Sequence, residues 1–309
     1  MAFRSGFVSI IGRPNAGKST LLNAVVGEKV AIVTHKPQTT RNRIQGIVNV
    51  EAASGRPAGQ IILVDTPGIH KPASSLSRKM MQEVEVALEG CDLLLLMVDA
   101  TEKFGSGDEF VLELVKRSKA PVFLVLNKID CLEKSKLLPL ISEYVRLHAF
   151  VEVIPVSALK KQGLDILMAS VLKFLPMGPR YFPKEQLTDQ PERFLAAELI
   201  REKLLQLTAE EVPYSCTVRV EQWEEKPKLT RIAAVIYCER EGQKGIIIGR
   251  GGQMLKKIGA AARFEIERRL GTRVFLELFV KVRANWREER GFVEGMDWRR
   301  QLEDLAEDS

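Results

Sequence analysis

The sequence has no long apolar run, since none of its uninterrupted apolar stretches approaches the roughly 20 residues of a membrane-spanning helix. Its first residues, Met1–Gly6, lead straight into an apolar segment and lack the pattern of a secretory signal. The composition is that of an ordinary globular protein, with 45% hydrophobic and 28% charged residues. We therefore expect a protein of the cytoplasm.

Cysteine and histidine are also scarce, with four and three residues. Neither type shows the paired spacing of a metal site or of a disulfide framework. The cysteines are Cys91, Cys131, Cys216 and Cys238, and the histidines are His35, His70 and His148. We expect reduced structural thiols and no metal site built from these residues.

A glycine-rich segment follows the first apolar run of the chain. Phe7–Ile11 has the pattern of a buried strand and leads directly into a phosphate-binding loop. Its glycines let successive backbone amides point at phosphate oxygens, and the helix starting near Lys18 presents its positive end to the same anion. Lys18 can then reach the β- and γ-phosphates while the Ser19 hydroxyl binds Mg²⁺. The residues predicted to hold the phosphates are Gly12, Asn15, Ala16, Gly17, Lys18, Ser19 and Thr20.

Three later segments indicate which nucleotide binds. Asp65-Thr66-Pro67-Gly68 follows an apolar strand, so that Asp65 can hold Mg²⁺ through water and Gly68 lies beside the γ-phosphate. Asn127-Lys128-Ile129-Asp130 follows another strand, and the Asp130 carboxylate can accept hydrogen bonds from N1 and N2 of guanine. Adenine would leave this carboxylate unpaired. Ser157-Ala158-Leu159 supplies backbone amides for guanine O6. The sequence therefore predicts a GTP or GDP site at the carboxyl ends of parallel strands.

The length of 309 residues favours two domains. Up to residue 175, apolar strands alternate with helical segments, which is typical of a mostly parallel α/β sheet with helices on both faces. Arg43–Ala53 is predicted as an additional, antiparallel edge strand joined to the next one by a turn at residues 55–59. Three prolines and a glycine within residues 176–183 indicate that 176–190 is a linker.

The elements change in residues 191–290. Glu192–Leu207 is predicted as a helix, Tyr214–Trp223 and Leu229–Glu239 as strands, and Gln253–Ile258, Ala260–Leu270 and Val274–Val282 as two helical pieces and a last strand. A Gly249-Arg250-Gly251-Gly252 turn between helices in this order resembles an α+β K-homology domain of type II, whose glycine loop clamps about four single-stranded nucleotides. Residues 291–309 would be a tail.

The local charge supports an RNA partner. Residues 181–309 contain 23 basic and 23 acidic residues, whereas Lys244–Arg290 contains 12 basic and 5 acidic residues. Acidic residues collect in the tail at Glu303–Asp308. Basic residues beside a backbone-clamping loop favour binding to RNA phosphates, and DNA is not expected. The predicted RNA contacts are Lys244, Ile248, Gly249, Arg250, Gly251, Gly252, Lys256 and Lys257.

The combination of motifs resembles the Era family of bacterial GTPases over nearly the whole chain. The resemblance rests on the phosphate loop, Pro37–Arg41, Asp65–Gly68, Asn127–Asp130 and Glu239–Lys244. It implies slow GTP hydrolysis, binding of the K-homology domain to the 3′ end of small-subunit ribosomal RNA, a role in 30S subunit assembly and some peripheral membrane association at the inner face of the cell membrane.

The residue after Gly68 is Ile69, where Ras-like GTPases carry the glutamine that orients the attacking water. Backbone groups of the switch loops, an RNA or protein partner, or a K⁺ ion near Asn15 could position the water instead. We assign Thr40 as the switch hydroxyl on Mg²⁺, with Thr39 as the alternative. The metal set is then Ser19, Thr40 and Asp65, and the catalytic set is Lys18, Thr40 and Gly68.

Three classes of function compete on these observations. A GTP-dependent RNA-binding assembly factor uses every motif. A metabolic or RNA-modifying enzyme would need paired carboxylates, a nucleophile or a metal cluster outside the nucleotide site, and the sequence offers none. A membrane-associated regulatory GTPase, which couples growth or cell division to its nucleotide state, would need a membrane surface. Glu192–Leu207 is its best amphipathic segment and is explained equally well as a core helix.

Overall fold

The computed structural model describes residues 2–53, 57–69 and 74–300. The chain forms two compact units. The first unit comprises Met1–Ala31, Thr40–Pro72 and Met80–Asp189, and the second comprises Ile32–Thr39, Ala73–Lys79 and Gln190–Ser309. Two short segments of the N-terminal half therefore belong to the second unit. The domain limits predicted from the sequence remain predictions.

The first unit contains a six-stranded sheet in the order β2-β3-β1-β4-β5-β6. Its strands are β1 (Arg4–Ile11), β2 (Ile44–Val50), β3 (Gly59–Asp65), β4 (Leu93–Asp99), β5 (Val122–Asn127) and β6 (Glu152–Pro155). All neighbours pair in parallel except β2 and β3, which are antiparallel. This confirms the predicted mostly parallel sheet with one antiparallel edge. Part of the predicted turn at residues 55–59 lies outside the described residues.

Helices cover both faces of this sheet. They are α1 (Lys18–Val26), α2 (Ser75–Glu89), α3 (Ser106–Val115), α4 (Lys134–Leu147) and α5 (Leu164–Phe174). Successive strand residues point to opposite faces. Ile10 accordingly packs in one apolar cluster with Leu21 of α1, and Ile11 packs in another with Leu112 of α3. The two clusters hold the strand ends in fixed positions.

The proline-rich segment predicted as a linker runs along the first unit. The Gly178 amide donates to the Phe3 carbonyl at 3.2 Å, and the amides of Tyr181 and Phe182 both donate to Gln60 Oε1 at 2.9 Å. The first unit accordingly extends to Asp189.

The second unit has a three-stranded sheet in the order β7-β8-β9. Its elements are α6 (Glu192–Leu207), β7 (Thr217–Lys226), β8 (Leu229–Cys238), α7 (Glu241–Ile248), α8 (Gln253–Leu270), β9 (Arg273–Val282) and α9 (Arg290–Glu294). β7 and β8 pair antiparallel, whereas β8 and β9 pair in parallel. The order of helix, two strands, two helices and a strand is present, but the two helices are α7, which was not delimited from the sequence, and α8, which combines the two predicted helical pieces. The acidic segment Glu303–Asp308 lies outside the described residues.

Two predicted elements in this unit have the wrong boundaries. Gly259 separates the two predicted helical pieces, but α8 is continuous. Glycine costs about 1 kcal/mol relative to alanine within a helix. Here it allows close packing, because a Cβ on Gly259 would lie 3.3 Å from Leu278 Cδ1 of β9. The strand predicted over Tyr214–Trp223 begins at Thr217, because Pro213 lies within a 3-10 turn over Val212–Tyr214, and it continues to Lys226.

α6 has the predicted bounds, and most of its residues are buried, including Leu195, Ile200 and Leu204. Among the residues that the structure describes, no helix is both long and apolar enough to cross a membrane.

Candidate functional site

The four predicted nucleotide motifs meet at one edge of the first unit's sheet. Each follows the carboxyl end of a strand, which is where open α/β sheets bind ligands. The parallel pairing places Ile10 of β1 opposite Asp65 of β3, and Asp99 of β4 opposite Asn127 of β5. The sheet therefore brings the phosphate loop, the magnesium residues and the guanine motif together.

The phosphate loop is closely packed. A Cβ on Gly12 would lie 2.2 Å from the Met97 carbonyl oxygen, so no other residue fits there. Lys18 is 6% exposed, and its ammonium donates to the carbonyls of Gly12 at 3.1 Å and Arg13 at 3.0 Å. These bonds hold the ammonium within the loop where phosphates would bind.

Asn127 connects three of the motifs. Its Nδ2 donates to the Ala16 carbonyl at 2.8 Å, and its Oδ1 accepts from the Ala158 amide at 2.9 Å. Gly17 has a left-handed φ of 98°, and a Cβ there would lie 2.2 Å from Asn127 Nδ2. Asn127 therefore fixes the phosphate loop relative to the loop at Ser157–Leu159. Its strand-end position predicted a site residue but gave no sign of this bridging role.

Three oxygen atoms predicted to bind magnesium lie together. Ser19 Oγ donates to Asp65 Oδ2 at 2.5 Å, and Thr40 Oγ1 lies 2.9 Å from Ser19 Oγ and 3.3 Å from Asp65 Oδ2. Thr39 Oγ1 instead contacts Thr34 Oγ1 at 2.7 Å and donates to the Lys36 carbonyl at 2.6 Å. Of the two threonines, Thr40 is thus the one beside the other oxygens.

The group fits a hard divalent cation. Oxygen atoms from hydroxyls and a carboxylate are the ligands that Mg²⁺ prefers. Asp65 is fully buried, and its Oδ1 has no hydrogen-bond partner among the described residues. A buried, unpaired carboxylate oxygen is costly unless an ion or water satisfies it.

Burial perturbs the two charged groups of this site. It lowers the pKa of Lys18 to about 8, although the nearby Asp65 carboxylate acts in the opposite direction. It raises the pKa of Asp65 to about 6, against the effects of Lys18 and of hydrogen bonds from Ser19 and Thr40. The charged forms are therefore less favoured than in water, although both groups remain mainly charged at pH 7. Phosphates beside Lys18 and a cation beside Asp65 would stabilise both charges.

The segment after Asp65 approaches the phosphate loop. A Cβ on Gly68 would lie 2.8 Å from Pro14 Cα, so glycine is needed at this position. The Ile69 amide donates to the Gly12 carbonyl at 3.2 Å, while the Ile69 side chain is 2% exposed and packs in the apolar core. Ile69 therefore has a structural role that the sequence comparison with Ras-like proteins did not suggest. Asn15 is exposed and has a left-handed φ of 63°.

The guanine motif forms a tight turn after β5. Lys128 has a left-handed φ of 64°, and its ammonium pairs with Asp99. Asp130 is exposed, and a hydrogen bond from the Ser157 side chain lowers the pKa of its carboxyl group. Asp130 is therefore an ionised acceptor at neutral pH. Ala158 is buried, whereas the Leu159 side chain is 74% exposed.

In the second unit, the predicted RNA loop joins α7 to α8. Gly249, Gly251 and Gly252 have left-handed φ values of 71°, 56° and 78°. A Cβ on Gly249 would lie 2.7 Å from Met254 Cβ, whereas Gly251 and Gly252 face open space. Arg250, Lys256 and Lys257 are exposed at this end of α8. Lys244, partly buried on α7, lies 3.8 Å from Glu241, and Ile248 precedes the loop.

Across the described ranges, no group of three or more His, Cys, Asp or Glu residues could hold a metal ion. The four cysteines are free thiols. His70 lies outside the described residues.

Two family profiles match the chain. A profile for 50S ribosome-binding GTPases matches residues 7–128, and a KH-domain profile matches residues 211–287. The fold and the site thus define a P-loop GTPase followed by a KH domain.

Curated relatives and solved structures identify the family within this class. GTPase Era of Geobacter metallireducens is 51% identical over 298 residues, which cover 96% of this chain and 98% of the relative. GTPase Era of Syntrophus aciditrophicus is 52% identical over 289 residues, which cover 93% and 92%. The chain belongs to the Era family, and it is a GTP-hydrolysing enzyme.

Two solved structures resemble nearly the whole chain. One is Era in complex with MgGDPNP and nucleotides 1506–1542 of 16S ribosomal RNA, with a TM-score of 0.90 and 43% identity. The other is a variant of Aquifex aeolicus Era bound to GDP and AlF4⁻, with a TM-score of 0.89 and 42% identity. Each match covers 94% of this chain and 98% of the other. The predicted α/β GTPase fold with a following KH domain is confirmed.

Proposed function

We propose that this protein binds the 3′ end of small-subunit ribosomal RNA through its KH domain and acts in assembly of the 30S subunit, with GTP bound and hydrolysed by the first unit. One observation supports the proposal most strongly. The chain combines a nucleotide site with a glycine loop that has open space around Gly251 and Gly252, and its fold matches that of Era in complex with nucleotides 1506–1542 of 16S ribosomal RNA. We also retain the domain limits at 1–175, 176–190, 191–290 and 291–309 as part of this proposal.

In the nucleotide site, we assign separate tasks to separate residues. Lys18 and the loop amides bind the phosphates, and Asp130 reads the guanine edge. Ser19, Thr40 and Asp65 would hold Mg²⁺, which when bound neutralises negative charge on the β- and γ-phosphates. The distances among their oxygens and the unpaired Asp65 Oδ1 support this assignment.

In the KH domain, the proposed clamp depends on space as well as charge. Because Gly251 and Gly252 have no neighbouring atoms within 4 Å of a hypothetical Cβ, an RNA backbone can approach the main chain there. Arg250, Lys256 and Lys257 would contact phosphates, so binding should weaken as the salt concentration rises. We propose that the protein acts in the cytoplasm, where ribosomal subunits assemble.

The test is a titration of full-length protein with an RNA that has the 3′-terminal sequence of small-subunit ribosomal RNA, and with a scrambled RNA of the same length. We expect Gly251→Asp to weaken binding severely, because a side chain and a negative charge enter the clamp. GDP binding should be unchanged, because the nucleotide residues belong to the first unit.

Gly271→Asp is the matched control. Gly271 also has a left-handed φ, of 66°, and open space around it, but it caps the other end of α8. The proposed clamp would be contradicted if both variants lost RNA affinity equally, or if a folded Gly251→Asp protein bound RNA as tightly as the wild type. Sedimentation of the wild type with lipid vesicles rather than with 30S particles would favour the membrane-associated alternative.

A further inference from the structure

The eight residues before Thr40 are built into the second unit. Ile32–Thr39 clusters with Gln190–Ser309, whereas Thr40 and the other nucleotide residues belong to the first unit. Ile32 is 2% exposed and packs in the same apolar cluster as Leu199 and Ile200 of α6. The segment that leads to the proposed magnesium ligand is therefore anchored in the core of the second unit through Ile32.

Charged side chains of α6 bind this segment at both ends. Glu202 Oε1 accepts a hydrogen bond from the Val33 amide at 3.0 Å. Arg201 Nη2 donates to the carbonyl of Thr39, the residue directly before Thr40. Arg201 and Glu202 are each 1% exposed, and their contacts with the half-buried Val33 and Thr39 are partly shielded from water. Hydrogen bonds of charged groups are the stronger kind, and they gain strength when water is excluded.

The two anchoring residues are themselves held in place. Glu198 Oε1 accepts from Arg201 Nε at 2.7 Å, and Glu202 Oε2 accepts from Lys203 Nζ at 2.9 Å. Lys203 also lies 3.5 Å from Glu265 of α8, the helix that begins at the glycine loop. The charges on α6 are thus paired, as buried charges must be. Their positions are fixed relative to the rest of the second unit.

We propose that Arg201 and Glu202 are positioning residues for Thr40. By holding residues 32–39 in place, they determine the position of the Thr40 hydroxyl group. Consecutive Cα atoms are separated by only about 3.8 Å, so Thr40 cannot move far while the carbonyl of Thr39 is held. The proposal deepens the proposed function, because it rests on the assignment of Thr40 to magnesium.

The decisive variant is Arg201→Met in the full-length protein, which keeps an apolar stem and removes the donor to Thr39. Its matched control is Arg193→Met, because Arg193 is also on α6 and also donates to main-chain carbonyls, those of Val220 and Glu221. Arg201→Lys is the conservative variant, since it keeps one charged donor.

Two measurements separate positioning from general stability. Amide hydrogen exchange of residues 33–40 is measured without nucleotide, and the Mg²⁺ concentration at half-maximal binding of a non-hydrolysable GTP analogue is measured by titration. For Arg201→Met we expect about tenfold faster exchange in this segment, the equivalent of one charged hydrogen bond, and a higher Mg²⁺ midpoint. Exchange in β7, β8 and β9 should stay as in the wild type. Arg201→Lys should recover part of both effects, and Arg193→Met should change neither.

Three outcomes would overturn the proposal. One is unchanged exchange at residues 33–40 in folded Arg201→Met. Another is an equal change in Arg193→Met, which would indicate a general loosening of α6. The third is faster exchange throughout the second unit that Arg201→Lys does not repair. Thr40→Ala separates this test from the proposed function: an unchanged Mg²⁺ midpoint in that variant would refute the assignment of Thr40, while the exchange data would still report on the anchor.

Discussion

Replacement of Asp130 by asparagine should change which nucleotide this GTPase prefers. In the guanine motif the carboxylate can accept from N1–H and from the N2 amino group, and the hydrogen bond from Ser157 keeps it ionised by lowering its pKa. Asparagine exchanges one acceptor for a donor. That donor opposes the guanine amino group but suits the carbonyl that xanthine carries at the same position.

The size of the effect follows from the hydrogen bond that asparagine can no longer accept, since its carbonyl oxygen can still accept from N1–H. A hydrogen bond to a charged group contributes about 1.5–3 kcal/mol. Its loss corresponds to a roughly 10- to 10²-fold weaker affinity for GTP. Sites that hydrogen-bond a substrate group discriminate against analogues by factors of about 10⁴ or more, so wild type should bind ATP very weakly.

The assay is displacement of a fluorescent guanine nucleotide by GTP, XTP and ATP. Xanthosine triphosphate should displace the probe from Asp130→Asn far better than GTP does, and the order should be reversed for wild type. Asp165→Asn is the control, because this carboxylate lies in the first turn of α5, outside the guanine motif. The pocket would be refuted if ATP and GTP displaced the probe from wild type equally, or if Asp130→Asn kept the wild-type preference.

Three further predictions concern the first unit. Lys18→Ala should abolish nucleotide binding and not only turnover, and the affinity of the variant for GDP, measured at equilibrium, tests this. Ile69→Gln should leave hydrolysis slow and lower the free energy of unfolding by about 1–3 kcal/mol, because it buries an amide in the core; faster hydrolysis in a stable variant would contradict this role. Asn127→Ala should remove the hydrogen bonds to Ala16 and Ala158, and urea unfolding should show a loss of about 1–3 kcal/mol together with weaker GDP binding.

Much of the nucleotide site was predictable because its motifs carry their own structural context. An apolar run followed by a glycine loop, or by Asp65 or Asn127, marks a strand end, and parallel strands bring such ends together. The glycine loop between α7 and α8 was likewise predicted from neighbouring residues. For the nucleotide site, the prediction needs only residues that are close in sequence and the rule that open α/β sheets bind ligands at the carboxyl ends of their strands.

Other features depend on partners that are distant in the sequence. Nothing near Ile32–Thr39 indicates that α6 will hold this segment, because Arg201 and Glu202 lie more than 160 residues later. Gly259 has the appearance of a helix break until its contact with Leu278 is known. The burial of Ile69 likewise depends on how α2, α3 and α4 cover the sheet. These features depend on contacts between residues that are far apart in the sequence, and a local sequence pattern does not predict such contacts.

The most direct test of the central claim is sequencing of the RNA that becomes crosslinked to this protein in cells, with wild type and Gly251→Asp compared at equal expression. We expect the RNA fragments crosslinked to the wild type to concentrate at the 3′ end of small-subunit ribosomal RNA, and we expect Gly251→Asp to lose this enrichment. Fragments spread over unrelated RNAs, or the same enrichment in both proteins, would contradict it.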